Sequence, residues 1–276
     1  MTDRPAGRDL RERLSNPRAD RIKQVAALAG RSASARERSG LFVVEGPQGV
    51  REVVRHRADA VRDVYVTDGA AVAWPEIVAE ALAAGLFVHP VNDEVAAAMS
   101  GDAQGVLAVA RQWGVGVLGI PAGARLAVIL SDVRDPGNAG AVVRAADAAG
   151  AALVVLAGQS VDVFSPKVVR ATAGSLFHVP VVRGVSVADA VAAARAAGLS
   201  LLAADGGGAL ELSPGLLELS RPTAWLLGNE AHGLSRDQLA LADASVRIPI
   251  HGAAESLNLA TAAAVCLYAS AFAQRA

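Results

Sequence analysis

The chain has 276 residues, a formal net charge of −1, 53% hydrophobic residues and 4% aromatic residues. This length suits two domains of ordinary size or one large one, and the near-neutral charge argues against a protein that binds polyanions over its whole surface. The single cysteine, Cys266, excludes an intramolecular disulfide and a cysteine metal cluster.

Targeting signals and membrane spans are not expected. No apolar run reaches the length that crosses a bilayer, and residues 1–15 mix both charges without an apolar core, unlike a secretory signal. The sequence therefore predicts a cytoplasmic protein that has no membrane association.

Arginine is concentrated at the start of the chain. Residues 1–40 contain ten Arg or Lys residues and five Asp or Glu residues. Biased composition in a solvated tail would give this excess, and so would a surface that contacts the phosphates of a nucleic acid. Residues 1–19 show no hydrophobic period, so we expect a disordered basic tail there.

Residues 20–112 alternate between helical and strand patterns, which indicates a small α/β domain. The apolar residues Ile22, Val25 and Leu28 lie on one face of a first helix that Gly30 ends. The elements expected after it are strand Phe42–Val44, a helix around Val50–Val54, strand Val61–Val66, helix Ala70–Ala84, strand Leu86–Val91, helix Glu94–Met99 and strand Val106–Ala110. A linker rich in Gly and Pro follows at residues 113–124.

Residues 125–276 alternate in the same way and form the second predicted domain. The expected strands are Leu126–Leu130, Ala152–Leu156, Val179–Val182, Leu199–Ala203, Thr223–Leu227 and Ser245–Ile250. The expected helices are one ending near Gly150, one after Pro166, one over Val187–Ala197, one after Ser235 and one from Leu257. The strand segments are continuous runs of Val, Leu and Ile, as in a parallel sheet with both faces covered.

Three polar, glycine-containing motifs interrupt this apolar frame. The first motif is residues 138–144, the second motif is residues 228–233, and the third motif is residues 248–260. Each lies at the end of a predicted strand, and open α/β sheets bind ligands at the carboxyl ends of their strands. The chain has no phosphate-binding P-loop, and no Gly-x-Gly-x-x-Gly turn opens the first strand-helix unit, which disfavours a nicotinamide-dinucleotide enzyme.

Single residues of these motifs also have ordinary structural explanations. Asn138 stands where a helix N-cap is expected, and Ser256 or Asn258 could cap the last helix. Glu230 could be a first-turn acid that complements a helix dipole. The five histidines show no metal-ligand spacing, and His232, inside the second motif, is interpreted as structural.

Taken together and in this order, the three motifs resemble those of the SpoU/TrmH branch of the SPOUT methyltransferases. Those enzymes transfer a methyl group from S-adenosylmethionine to a ribose 2′-hydroxyl of RNA. The resemblance implies an α/β domain with a parallel sheet and a chain end threaded into a trefoil knot, a homodimer that completes the site, and no metal. Residues 20–112 resemble the family's smaller L30e-like RNA-binding α/β domain, chiefly through Phe42–Gly46.

The resemblance also assigns site residues by position. The residues expected to hold S-adenosylmethionine, largely through backbone groups, are Gly228, Ile248 and Leu257. The expected catalytic residues are Asn138, Arg144, Glu230, Ser256 and Asn258. Family accounts make the first-motif arginine the general base. A guanidinium is effectively always protonated, so we favour Arg144 as a clamp on the phosphate beside the target ribose and leave the base role open.

The function expected from the resemblance is 2′-O-methylation of 23S ribosomal RNA. Two alternatives stay open: a transfer-RNA target, and a non-catalytic RNA-binding module built on the same fold. The complete polar set of the three motifs favours an enzyme. A separate RNA-binding half favours a large structured RNA over a small tRNA loop.

Overall fold

The computed structural model describes residues 10–114, 119–213 and 218–276. The described chain forms two compact units. The first unit consists of the residues up to Trp113 together with Phe164–Phe177, and the second consists of Gly114–Val163 together with His178–Ala276. Within these residues no helix is both long and apolar enough to cross a membrane.

The two units are built from alternating helices and strands. In chain order the helices are α1 (Asp20–Ala29), α2 (Ser34–Ser39), α3 (Gly46–His56), α4 (Asp68–Ala73), α5 (Pro75–Ala83), α6 (Asp93–Met99), α7 (Pro136–Ala149), α8 (Pro166–Ala171), α9 (Val187–Ala196), α10 (Arg236–Ala240) and α11 (Leu259–Ala273), with a 3-10 helix at Ser175–Phe177. The strands are β1 (Leu41–Glu45), β2 (Val61–Thr67), β3 (Phe87–Val91), β4 (Val106–Arg111), β5 (Leu126–Ser131), β6 (Leu153–Ala157), β7 (Val181–Val185), β8 (Ser200–Ala204), β9 (Leu210–Glu211), β10 (Thr223–Leu227) and β11 (Ala244–Arg247).

The first unit is built on a four-stranded mixed sheet in the order β1-β4-β2-β3. Strands β2 and β3 are parallel, and the other neighbours are antiparallel. Helix α1 packs on this sheet through Ile22, Val25 and Leu28, the residues whose spacing predicted its buried face. They share a core with Val43 of β1 and Tyr65 of β2. The smaller α/β domain expected from the sequence is therefore present.

One helix predicted in this unit is two helices. The structure replaces the predicted helix Ala70–Ala84 by α4 and α5, which are separated at Trp74. Pro75 lacks a backbone N–H and disfavours helical backbone in the residue before it, and Trp74 accordingly has φ −135° and ψ 63°. Sequence reasoning also missed α2, because six residues are too few for a hydrophobic period to show.

Residues 10–14 lie alongside β3. The backbone N–H groups of Arg11 and Leu14 each donate to a carbonyl oxygen of β3 over 2.9 Å. This arrangement differs from the disordered tail expected for residues 1–19, because local hydrophobic period carries no information about pairing with a distant strand edge. Residues 1–9 of that prediction lie outside the described residues.

A buried carboxylate, Asp63 of β2, is surrounded by donors in the first unit. Arg21 Nη2 donates to it over 2.8 Å and Arg62 Nε over 2.7 Å, and His89 Nε2 lies 3.0 Å from its Oδ1. Burial raises the pKa of Asp63, but the hydrogen bonds from His89 and Arg62 outweigh it, so the pKa lies below its usual value. The carboxylate is therefore charged and paired at neutral pH.

A segment from the second half of the sequence, Phe164–Phe177, packs within the first unit. The ring of Phe164 lies 4.6 Å from that of Phe42, measured between centroids. Arg170 of α8 forms an ion pair with Glu45 at the end of β1. The first unit is thus completed by a segment that the predicted division of the chain assigns to the other domain.

The second unit contains a seven-stranded parallel sheet in the order β7-β6-β5-β10-β8-β11-β9. Trp225 of β10 donates from Nε1 to Ser270 Oγ of α11 over 2.9 Å. Its neighbour Leu226 joins the core that contains Val191 of α9. Adjacent strand residues point to opposite faces, so helices cover the sheet on both sides. The parallel sheet predicted from the continuous apolar strands is confirmed.

The strand order reverses between β5 and β10, which are neighbours although far apart in sequence. Their register pairs Leu130 with Leu227, so their carboxyl ends lie side by side. Reversals of this kind open a crevice at the carboxyl edge of a parallel sheet, where ligands bind. The first motif follows β5 and the second motif follows β10.

Two boundaries near the third motif differ from the prediction. Strand β11 ends at Arg247 and not at Ile250, because Pro249 cannot donate a ladder hydrogen bond. Helix α11 begins at Leu259, later than predicted, because Asn258 caps it. Residues 248–258 therefore form one connection, most of it exposed.

Candidate active site

The first motif is placed by an aspartate cap. Asp135 Oδ1 accepts the backbone N–H of Asn138 over 2.8 Å, and Pro136 occupies the first turn of α7. The alternative interpretation of Asn138 as the cap of this helix is wrong, because Asp135 stands three residues earlier and takes that role. The Asn138 side chain is consequently free of the cap and available for other partners.

The second motif is a closed loop and not a helix start. Asn229 Oδ1 accepts the backbone N–H groups of Ala231 over 3.0 Å and of His232 over 2.8 Å. The backbone N–H of Gly233 donates to the Asn229 carbonyl over 3.0 Å and closes the loop. Glu230 lies exposed within this turn, so its interpretation as a first-turn acid of a helix is wrong.

The third motif contains Asn258, whose side-chain amide has two sets of partners. Asn258 Oδ1 accepts the backbone N–H groups of Ala260 over 2.9 Å and of Thr261 over 3.3 Å, and it thereby caps α11. Its Nδ2 is left to bind elsewhere. Ser256, the alternative cap, is exposed and makes no side-chain hydrogen bond within the described part of the chain.

Asn138 joins the three motifs. Its Nδ2 donates to Glu230 Oε1 over 3.0 Å, and its Oδ1 accepts from Asn258 Nδ2 over 2.9 Å. Because one partner is an acceptor and the other a donor, the orientation of the half-buried Asn138 amide is fixed. Glu230 lies 92 positions and Asn258 lies 120 positions from Asn138 along the chain, and both meet at its side chain.

The three expected cofactor residues lie at the same edge of the sheet. Gly228 directly follows β10, Ile248 directly follows β11, and Leu257 lies at the far end of the connection that begins at Ile248. A Cβ on Gly228 would lie 2.1 Å from the carbonyl carbon of Gly233 and 2.5 Å from the backbone nitrogen of Leu234. The glycine is therefore required by the loop's own backbone.

Arg144 stands apart from this arrangement. It is exposed on α7, and within the described residues it forms no hydrogen bond or ion pair. Six helical residues turn the chain by roughly 600°, so Arg144 lies on a different side of α7 from Asn138. The structure brings together Asn138, Glu230 and Asn258 but does not bring Arg144 to them.

Sequence reasoning missed Asp132, which directly follows β5 and lies close in sequence to the first motif. The backbone hydrogen bond from Gln159 lowers its pKa most, burial raises it, and hydrogen bonds from Ser131 and Gln238 lower it further, so the pKa lies below its usual value. A carboxylate at the carboxyl end of a buried strand was the available signal.

Comparison with known proteins assigns both halves of the chain. Residues 125–268 match the SpoU rRNA Methylase family, and residues 19–108 match the MRM3-like substrate binding domain. The chain belongs to the SpoU rRNA methylase family. The membership predicted from the three motifs is thereby confirmed.

Several relatives within the family have assigned substrates. The 23S rRNA (guanosine-2'-O-)-methyltransferase RlmB of Bordetella pertussis is 32% identical over 236 residues, which cover 83% of this chain and 96% of that protein. A 23S rRNA uridine 2'-O-methyltransferase of Streptomyces viridochromogenes is 43% identical over 148 residues, and the matched stretch spans 51% of its length. A guanosine-specific relative from Bacillus subtilis, RlmP, is matched over 57% of its length.

Solved structures share the fold over most of the chain. The SpoU methyltransferase AviRb of Streptomyces viridochromogenes, in complex with the cofactor AdoMet, has a TM-score of 0.81 and 32% identity and covers 93% of this chain and 99% of its own. An AdoMet-bound rRNA methyltransferase from Sinorhizobium meliloti has a TM-score of 0.80 and 30% identity and covers 95% of this chain and 97% of its own.

Proposed function

We propose that this protein is an S-adenosylmethionine-dependent RNA 2′-O-ribose methyltransferase that acts on 23S ribosomal RNA. The observation that carries the proposal is the Asn138 amide, which joins Glu230, after the neighbouring strand β10, to Asn258 at the start of α11. Family membership and the substrates of the full-length relatives support the same reaction.

The chemistry of the loops fits S-adenosylmethionine. The second motif and residues 248–258 contain two carboxylates, Glu230 and Glu255, and no Lys or Arg, so these loops have no permanent positive charge that would repel a sulfonium cation. Leu257 is 36% exposed beside them and offers apolar surface. We assign Gly228, Ile248 and Leu257 to hold the cofactor, which supplies a methyl group already activated on a positively charged sulfur.

The residues of the chain then have to orient the acceptor ribose. The Asn138 amide is held by two partners and cannot rotate freely, so Glu230 and Asn258 keep fixed positions relative to α7. Ser256 is exposed beside this network and is assigned to the same polar set. No charged nucleophile has to be generated on the protein, so positioning supplies much of the rate. We expect no requirement for a metal ion.

We propose a homodimer through α11. This helix is apolar nearly all round, and Val265, Tyr268 and Phe272 remain 39%, 37% and 69% exposed. Their spacing of three and four residues puts them on one face, and a contiguous exposed apolar face of this kind marks an interface. A second copy of the chain is the proposed occupant, and Phe272→Glu should give monomers in sedimentation analysis.

Arg144 has a place in such a dimer. It is exposed on α7, the helix that packs against α11, and it lies on a different side from Asn138. We assign it to the partner copy's site, as a planar clamp on the phosphate beside the target ribose. Mixing inactive Arg144→Ala protomers with inactive Asn138→Ala protomers should then restore transfer. A mixture that stays inactive would place both residues in one site.

The remaining finer features belong to the same proposal. We retain residues 20–112 as the RNA substrate domain and residues 125–276 as the methyltransferase domain, a division supported by the two family matches. A trefoil knot is supported by the return of α11 to α7 and β5, elements much earlier in the chain. The proposed substrate implies a cytoplasmic location.

The decisive experiment measures transfer of labelled methyl from S-adenosylmethionine to ribosomal RNA taken from cells that lack the enzyme, followed by mapping of 2′-O-methylated riboses. We expect one modified site in 23S rRNA and its loss with Asn138→Ala. Modification of tRNA alone would show that the substrate is tRNA and not 23S rRNA. If no ribosomal or transfer RNA is methylated, the protein is better described as a non-catalytic RNA-binding module.

A further inference from the structure

Asp132 has an unusual backbone conformation. It directly follows β5 and has φ 56°, in the left-handed region that favours glycine. Among the described residues other than glycine, only Gln104 and Ala173 share a positive φ. Aspartate tolerates this conformation better than most residues, yet it persists only where the surroundings hold it.

The surroundings hold Asp132 by its carboxylate. Oδ1 accepts the backbone N–H of Gln159 over 2.8 Å, and Oδ2 accepts from Ser131 Oγ over 2.9 Å and from Gln238 Nε2 over 3.3 Å. A Cβ on Gly158 would lie 2.4 Å from Oδ1, so the loop after β6 is shaped around this oxygen. The carboxylate therefore connects the end of β5 with two other elements.

Gln238 carries this connection to the second motif. Its Nε2 donates to Ser131 Oγ over 2.8 Å, and its Oε1 accepts the backbone N–H of Ser235 over 3.0 Å. Ser235 caps α10 and ends the loop that carries Glu230. The loop with Glu230 is thus tied to the same strand end that leads into α7 and Asn138.

We propose that Asp132 is a positioning residue, which holds α10 and the loop with Glu230 in register with Asn138. Only the rate measurement below rests on the proposed function. Asp132 forms no hydrogen bond with Asn138 or Glu230 in the described chain, so Asp132 acts through geometry. A displacement of about 1 Å at a reacting group costs roughly 100-fold in rate, and the effect should fall on kcat and not on KM.

The polarity of this network can be reversed. In Asp132→Asn the new amide N–H faces the Gln238 amide N–H, so two donors oppose each other. In Gln238→Glu the new carboxylate faces the Asp132 carboxylate, so two acceptors oppose each other. In the double variant the side-chain amide at position 132 donates to Ser131 Oγ, and the Ser131 hydroxyl donates to the carboxylate at position 238. The amide oxygen still serves Gln159, and a glutamate at this helix position still forms the capping box with Ser235.

Each single variant should lower kcat for methyl transfer roughly 100-fold, and the double variant should recover most of that loss with little change in KM. A second readout is independent of activity. The backbone N–H groups of Ala231 and His232 are held by Asn229, and their hydrogen exchange should accelerate in the single variants and slow again in the double variant.

The matched control is Asp243→Asn. Asp243 also accepts a backbone N–H, that of Leu201 over 2.8 Å, but near the amino end of β8. This variant should lower Tm without changing kcat. Single variants with wild-type kcat and exchange, or a double variant that recovers Tm alone, would overturn the positioning role. A wild-type protein without transfer would remove the proposed function, and the exchange pattern would still decide the role of Asp132.

Discussion

Replacing Gly228 by alanine tests whether the second motif forms part of the cofactor site. The added Cβ would lie 2.1 Å from the carbonyl carbon of Gly233 and 2.3 Å from its oxygen. An ordinary carbon contact is about 3.5 Å, so the backbone must move by roughly 1.4 Å. Overpacking of this size costs about 1–3 kcal/mol of stability. The movement displaces the turn that carries Glu230.

The consequence should appear in two assays. Because a misplacement of about 1 Å costs roughly 100-fold in rate, single-turnover methyl transfer by Gly228→Ala should fall by about that factor. Calorimetry should show weakened binding of S-adenosylmethionine as well. The control is Gly206→Ala, in the exposed loop that follows β8 at the same edge of the sheet, where an added Cβ meets nothing within 4 Å.

The reasoning is refuted if Gly228→Ala binds cofactor and transfers methyl groups as the wild type does. A variant that unfolds would not answer the question, so thermal unfolding is measured beside both assays. Equal losses in the Gly228 and Gly206 variants would also contradict the argument, since an added Cβ is crowded only at Gly228.

Three further results are expected. Arg144→Ala should lose methyl transfer by orders of magnitude while calorimetry shows near-normal cofactor binding, and Arg144→Lys should rescue little if the planar fork grips phosphate in two places. Arg31 and Arg38 are exposed in the Arg-rich start of the chain. If each binds a phosphate, changing either to Gln should reduce the slope of log affinity for RNA against log salt concentration by about 0.7–0.9. An unchanged slope would show that the substituted residue does not contact the RNA. Asp63 has a lowered pKa in the folded protein. Its contribution to stability is therefore full above its unfolded pKa of about 3.9 and disappears as pH falls through the pKa of the folded state. The difference in unfolding free energy between wild type and Asp63→Asn, measured in urea, should accordingly shrink below about pH 4.

The sequence predicted the parallel sheet well because its strands are continuous apolar runs, which are uncommon outside sheets covered on both faces. It located the three motifs because polar loops interrupt that frame. It misplaced the cap of α7, since Asp135 and Asn138 are equally good capping types and only the backbone path decides between them.

Other features depend on contacts that no local pattern encodes. The bond between Asn138 and Glu230 spans 92 residues, and the left-handed backbone of Asp132 depends on partners from two other elements. The break before Pro75, by contrast, follows from local sequence, because proline disfavours helical backbone in the residue before it. The short helix α2 had too few residues to show a period.

The placement of Phe164–Phe177 has a consequence for folding during synthesis. Phe42 and Glu45, in the first strand of the first unit, take partners from this later segment. In a nascent chain of residues 1–113, Phe42 therefore lacks its Phe164 contact and Glu45 lacks its ion-pair partner Arg170. Domains usually fold as units in the order of their synthesis, but here the earlier unit is complete only after residue 177 has been synthesised.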